Sequence, residues 1–111
     1  MKRSLLLALF PLLAAVSQAE VDFAHQVVPV LRKHCADCHM GMAKKGGFSM
    51  NTRESFLAGS EDGAIVEPGK SADSILMDVL RSNDKKERMP PKGDRVPEKD
   101  IEILRQWIDG G

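Results

Sequence analysis

Cys35-Ala36-Asp37-Cys38-His39 is the stretch on which the reading of this chain turns. Two cysteines spaced C-x-x-C and followed directly by histidine form a site for covalent attachment of haem c. Thiols three positions apart on a helical turn can both reach vinyl groups along one porphyrin edge. Thioether bonds then tether the group. The next residue, His39, falls beneath the ring and offers an imidazole nitrogen to the iron. The tether holds that histidine near the metal, so coordination costs little further entropy.

Upstream, residues 22–34 read as an amphipathic helix, with Phe23, Val27, Val30 and Leu31 at helical spacing. Pro29 removes a hydrogen bond from that run, so a kink or a short first turn is expected, with the main helix starting near Pro29. His25 and His34 also precede the motif. His34 adjoins a cysteine and is expected to point away from the iron; His25 lies more than two turns upstream and reads as a surface residue. Downstream, residues 40–51 form a loop in which Gly41, Gly46 and Gly47 permit tight paths and Lys44-Lys45 is a solvated tip. Met40 and Met42 follow His39 too closely to cross to the other face of a haem. They read as packing or exposed residues.

Phe48-Ser49-Met50 reads as a short extended piece. Asn51…Glu54 has capping-box spacing before a helix over 52–58 that buries Phe56 and Leu57. Residues 59–70 return to loop around an Ile65-Val66 plug. Ser71 is the expected N-cap of a helix to Ser82 with Ile75, Leu76, Val79 and Leu80 inside. Met77 on that helix reads as core or surface. The last helix, Pro97 to Ile108, is expected to bury Ile101, Leu104, Trp107 and Ile108, with Val96 as a weak cap. Trp107 is the only tryptophan, and it is expected between the first and last helices near the haem edge.

Residues 83–96 are almost entirely charged or turn-forming, and Met89 is their one large apolar residue before Val96. Prolines at 90 and 91 fix φ just after it and hold its sulfur with little entropy to lose. The plain alternative is a loop methionine tucked against the core. A C-x-x-C-H fifty residues upstream favours the reading as an iron ligand. Lys85, Lys86, Arg88, Lys92 and Arg95 surround Met89; they read equally as a docking ring and as a solvated loop.

Composition narrows the alternatives. The 111 residues make one small domain. Lys2 and Arg3, then twelve residues from Leu5 to Val16, then Ser17-Gln18-Ala19, form a secretory signal over 1–19. Twelve apolar residues fall short of the ~20 that span a bilayer, so no stable membrane insertion is expected after cleavage. The domain is then 20–111, periplasmic or otherwise exported. Removing Lys2 and Arg3 leaves 14 basic against 16 acidic residues, a balance that speaks against nucleic acid. Cys35 and Cys38 are the only cysteines. A disulfide or thiol-redox pair and a zinc site completed by His39 with His34 or His25 are the other readings. The former lacks a βαβ context and the latter a second C-x-x-C.

The segment from Asp22-Phe23 through Val30-Leu31 to Cys35-x-x-Cys38-His39 resembles the planctomycete-type cytochrome c domain. So do Lys45-Gly46-Gly47-Phe48, Pro68-Gly69-Lys70-Ser71, Arg88-Met89-Pro90-Pro91 and Leu104-Arg105-x-Trp107-Ile108. The resemblance runs over essentially the whole chain after the signal. One departure is Met40, where relatives usually carry glycine. The resemblance implies an all-α fold, a small cytochrome c-like helical bundle around one covalently bound haem, with His39 and Met89 as ligands. It implies a haem redox carrier rather than an enzyme, exchanging single electrons with partner proteins such as a dehydrogenase or an oxidase. The competing class is a haem-based sensor or peroxidase-like protein, which would need Met89 to leave the iron.

Overall fold

The computed structural model describes residues 20–111, so the expected signal over 1–19 lies outside the described residues. Among them there is no β-strand and the architecture is helical. A π-type turn at Phe23–Val27 runs into helix α1, Val28–His34. Pro29 stands in the first turn of α1, where its missing N–H has no partner to lose. A one-turn helix α2, Ala36–His39, follows directly. Helices α3 (Arg53–Ala58), α4 (Ile75–Arg81) and α5 (Glu98–Asp109) complete the set.

The core gathers one apolar face from each main helix: Val27, Val30 and Leu31, then Phe56, then Leu76, Met77 and Leu80, then Ile101, Leu104 and Ile108. Phe48, Val66 and Val96 enter it from loops. Each such side chain contributes about 1.5–3 kcal/mol by leaving water. The two ends of the chain are joined twice. Phe23 packs on Trp107 with ring centroids 5.3 Å apart, and His34 Nε2 donates to Asp100 Oδ2 at 3.2 Å.

Three helix starts differ from the sequence expectation, each for a local reason. Helix α3 is capped by Thr52, which makes a reciprocal box with Ser55, rather than by Asn51. The Asn51 amide is committed elsewhere: its Oδ1 accepts from Gly41 N and its Nδ2 donates to Gly41 O, both at 2.7 Å. Ser71 opens a 3₁₀ turn, and Ser74 occupies the N-cap position of α4. Ser71 N and Oγ donate instead to Asp109 at 2.8 and 2.9 Å. In α5 the cap is Pro97, because Val96 is buried in the core. The later start of α4 shifts its inner face. Met77 is buried, and Ile75 is 50 % exposed. Phe23, expected inside, is 47 % exposed at the edge of the aromatic contact.

One turn depends on glycine. Gly59 ends α3 with φ 80° and ψ −149°, a region open essentially to glycine alone. A Cβ there would lie 2.2 Å from the Gly63 carbonyl oxygen. The turn pairs Ser60 with Gly63 and docks Glu61 N on Gly46 O at 3.0 Å. Gly59→Ala is therefore expected to cost roughly 1–3 kcal/mol, read as a lower urea midpoint. An unchanged midpoint would show that the turn relaxes freely.

The surface of α5 carries a charge network. Arg105 donates to Glu102 through Nε at 2.8 Å and to Asp109 through Nη1 at 2.9 Å. The Arg105 hydrogen bond, with Gln106 adding to it, holds the Glu102 carboxyl down at about 2. Hydrogen bonds from Ser71 hold Asp109 low as well. A carboxylate whose folded pKa is depressed stabilises the fold above its unfolded value and loses that contribution as pH falls through the folded one. For Glu102 the window runs from its ordinary 4.5 down to about 2. The urea midpoint should fall across that window, and less steeply in Glu102→Gln. Identical pH profiles for the two proteins would remove Glu102 from the account.

Candidate haem-attachment site

Helix α1 ends at Cys35, whose N–H still bonds to Leu31 O at 2.9 Å, and α2 restarts from it. The restart turns the backbone so that Cys38 N and His39 N both bond to Cys35 O, at 3.3 and 3.1 Å. Both thiols are free and half-buried. Burial, with a smaller push from Cys38, raises the Cys35 thiol to about 11, so it stays protonated at neutral pH.

His39 Nδ1 lies 3.1 Å from the Phe48 carbonyl oxygen. A carbonyl only accepts, so Nδ1 carries the proton and Nε2 is left with its lone pair free for a metal. The Phe48 ring backs the imidazole at 5.0 Å. Met50 N donates to His39 O at 2.7 Å and, with the Asn51–Gly41 pair, closes the loop after the motif at its neck. Positive φ at Gly46 (67°) and Gly47 (74°) turns that loop back so that Phe48 can reach the histidine.

Met89 reaches the same cavity from the 83–96 loop. Its N–H donates to Val79 O at 2.9 Å, which fixes the loop to α4. Asp84 organises the approach, accepting from Lys86 N through Oδ1 at 2.9 Å and from Arg88 N through its carbonyl at 2.8 Å. Arg88 Nη2 donates to Pro91 O at 3.3 Å. Arg95 bonds Asn83 Oδ1 at 2.7 Å and the Ser82 carbonyl, so it braces the loop rather than standing free in a basic ring.

Cys35, Cys38, His39 and Met89 all line one cavity of about 320 Å³. Its walls are mainly apolar, with Ile65, Leu76, Val79 and Leu80 among them, and Lys45, Glu61 and Asp62 also line it. Two of the chain's exposed large apolar side chains, Ile75 and Met89, open onto this space. An apolar wall carrying two thiols, an imidazole with free Nε2 and a thioether fits a porphyrin iron. Among the described residues no three His, Cys, Asp or Glu side chains gather as a metal site. His34 also lines the cavity, but its Nε2 is engaged by Asp100. His25 is exposed and bonded to Asp22 at 2.7 Å. Met40 packs against the core, Met42 is 99 % exposed, and Met77 is buried away from the cavity.

Trp107 does not line this cavity. It meets Phe56 edge-to-face at 5.4 Å, and Phe56 meets Phe48 in the same way at 5.4 Å. Two phenylalanine rings therefore stand between Trp107 and His39, and the expectation of a tryptophan at the haem edge is corrected. The contributions of Phe48 and of the 60–62 turn were not visible in the sequence. Only Gly46-Gly47, which forces a reversal, hinted that Phe48 returns to the histidine.

The helical domain thus gathers two free thiols, an imidazole and a thioether around one largely apolar cavity. The family model of planctomycete cytochrome C matches residues 35–93, and the chain belongs to that family. Membership implies covalent haem c, for which Cys35 and Cys38 have the required spacing. Neither the curated proteins nor the solved structures compared with the chain gave a match.

Proposed function

We propose that this chain is an exported mono-haem electron carrier, with haem c bonded through Cys35 and Cys38 and its iron held by His39 and Met89. The observation that carries the reading is the convergence of those four side chains, from two stretches of chain fifty residues apart, on one largely apolar cavity. When bound, the haem supplies one-electron exchange at iron. His39 gives the imidazole nitrogen, and the Phe48 carbonyl fixes its tautomer and orientation. Met89 offers a soft sulfur, which favours the reduced metal and raises the potential above that of a second histidine. The apolar walls of Leu76, Val79 and Leu80 keep water from the site and act in the same direction.

With His39 and Met89 both holding the iron, small molecules would lack an open coordination site. That supports a carrier serving partner proteins, a dehydrogenase or an oxidase, over a peroxidase-like enzyme. Export rests on residues 1–19 and on family membership. No helix among the described residues is long and apolar enough to cross a membrane.

The test is an absorption spectrum, oxidised and reduced, with intact mass, on protein exported with a haem c maturation system. One haem of added mass, a low-spin spectrum and a methionine-to-iron charge-transfer band are expected. A colourless protein would return the cysteines to disulfide or thiol chemistry. A high-spin haem would remove Met89 from the iron and favour a sensor or enzyme.

A further inference from the structure

A second cavity, of about 670 Å³, adjoins the first; Met50 lines both. Phe48 stands between them, its ring 5.0 Å from His39 and 5.4 Å from Phe56. The walls of the second cavity are aromatic and aliphatic: Phe23, Leu31, Phe56, Leu57 and Trp107. Phe23 is 47 % exposed there, and Trp107 is only half-buried. Large apolar side chains left open in a concavity of this size mark a ligand site more often than a packing fault.

The charge at this cavity is of one sign. Arg32 and Arg53 are its only charged lining residues, and both are exposed. Among the described residues neither makes an ion pair, whereas Arg81 and Arg105 each have a carboxylate partner. A guanidinium presents a planar fork that matches a carboxylate bidentately. Its placement beside three aromatic rings selects a ligand with a flat apolar body and an anionic end.

We infer that this cavity binds a small aromatic carboxylate, its ring against Phe23, Phe56 and Trp107 and its carboxylate on Arg32 and Arg53. The volume lies within the ~300–1,000 Å³ of small-molecule sites. A second copy of the chain is a poorer occupant. The cavity carries no acidic residue with which a second copy of the same surface could answer these arginines. The site uses none of Cys35, Cys38, His39 and Met89. It therefore stands apart from the electron-carrier reading, and either can fail without the other.

The experiment is calorimetric titration of the exported protein with 2-naphthoate at low salt, alongside its methyl ester. Saturable one-to-one binding of the acid is expected, with the neutral ester weaker by about tenfold, as loss of a charge-assisted bidentate contact implies. An Arg32→Gln/Arg53→Gln variant should lose affinity by a similar factor and bind acid and ester alike. Phe23→Ala should weaken both ligands together. Both arginines are exposed, so the arginine variant should keep its thermal midpoint; Phe23→Ala loses the contact with Trp107, and a cooperative unfolding transition verifies that it folds. The ester comparison needs no variant at all. No saturable binding, equal affinity for acid and ester in the parent protein, or a stoichiometry of two chains per ligand would overturn the proposal.

Discussion

A Cys35→Ala/Cys38→Ala variant, exported with a haem c maturation system, is expected to carry no covalent haem. Intact mass should fall by the whole group, and denaturation should release any residual colour. The two thiols share one cavity with His39 and are free, so removing them leaves no sulfur nucleophile placed for thioether formation. Single variants should retain one bond and an intermediate yield. The effect on the fold should also be large. Without a tether, haem binding becomes bimolecular and loses its effective concentration. A domain of this size has a modest core that such a group helps to complete. Haem that stayed bonded to the double variant would refute the attachment site.

Met89→Ala should convert the iron from low spin to high spin or to a water-ligated form. The methionine charge-transfer band should vanish. The reduction potential should drop by on the order of 0.1 V, a modest part of the ~0.8 V that axial ligands span. The Val79 O contact belongs to the Met89 backbone, so it survives this substitution and the loop keeps its anchor. Spectral change with an intact thermal midpoint would then report ligation rather than misfolding. An unaltered spectrum and potential would show that another thioether, that of Met50 in the same cavity, holds the sixth position.

The parts legible in sequence were those whose chemistry demands a spacing. Cys35, Cys38 and His39 have the C-x-x-C-H spacing that covalent haem attachment requires. Met89 stood out because a lone thioether sits in a polar loop before two prolines. The helical faces of Val27, Val30 and Leu31 and of Ile101, Leu104 and Ile108 followed from their period. The helix starts did not, because neighbouring residues compete for the cap. Asn51 and Thr52 are both able to cap α3, and only the distant Gly41 backbone decides by taking the Asn51 amide. Ser71 and Ser74 lie three residues apart on the same approach, and Asp109 takes the first. Trp107 was placed on its inward side by period alone. Which end of α5 meets which cavity is set by tertiary packing with Phe23 and Phe56.

The tie between Asn51 and Gly41 separates the attachment site from the loop tip beyond it. His39, Gly41, Met50 and Asn51 are fixed to one another at the neck, while Met42 is 99 % exposed and Lys44 and Lys45 stand in solvent. Lys44 O and Lys45 O accept from Gly47 N and Phe48 N, so residues 44–48 lead back to the imidazole, whereas the Met42 side chain leads nowhere. Met42 is thus the natural grafting point. A peptide tag or a linker to an electrode surface inserted there would hold the protein near its candidate haem-attachment site without redesigning that site.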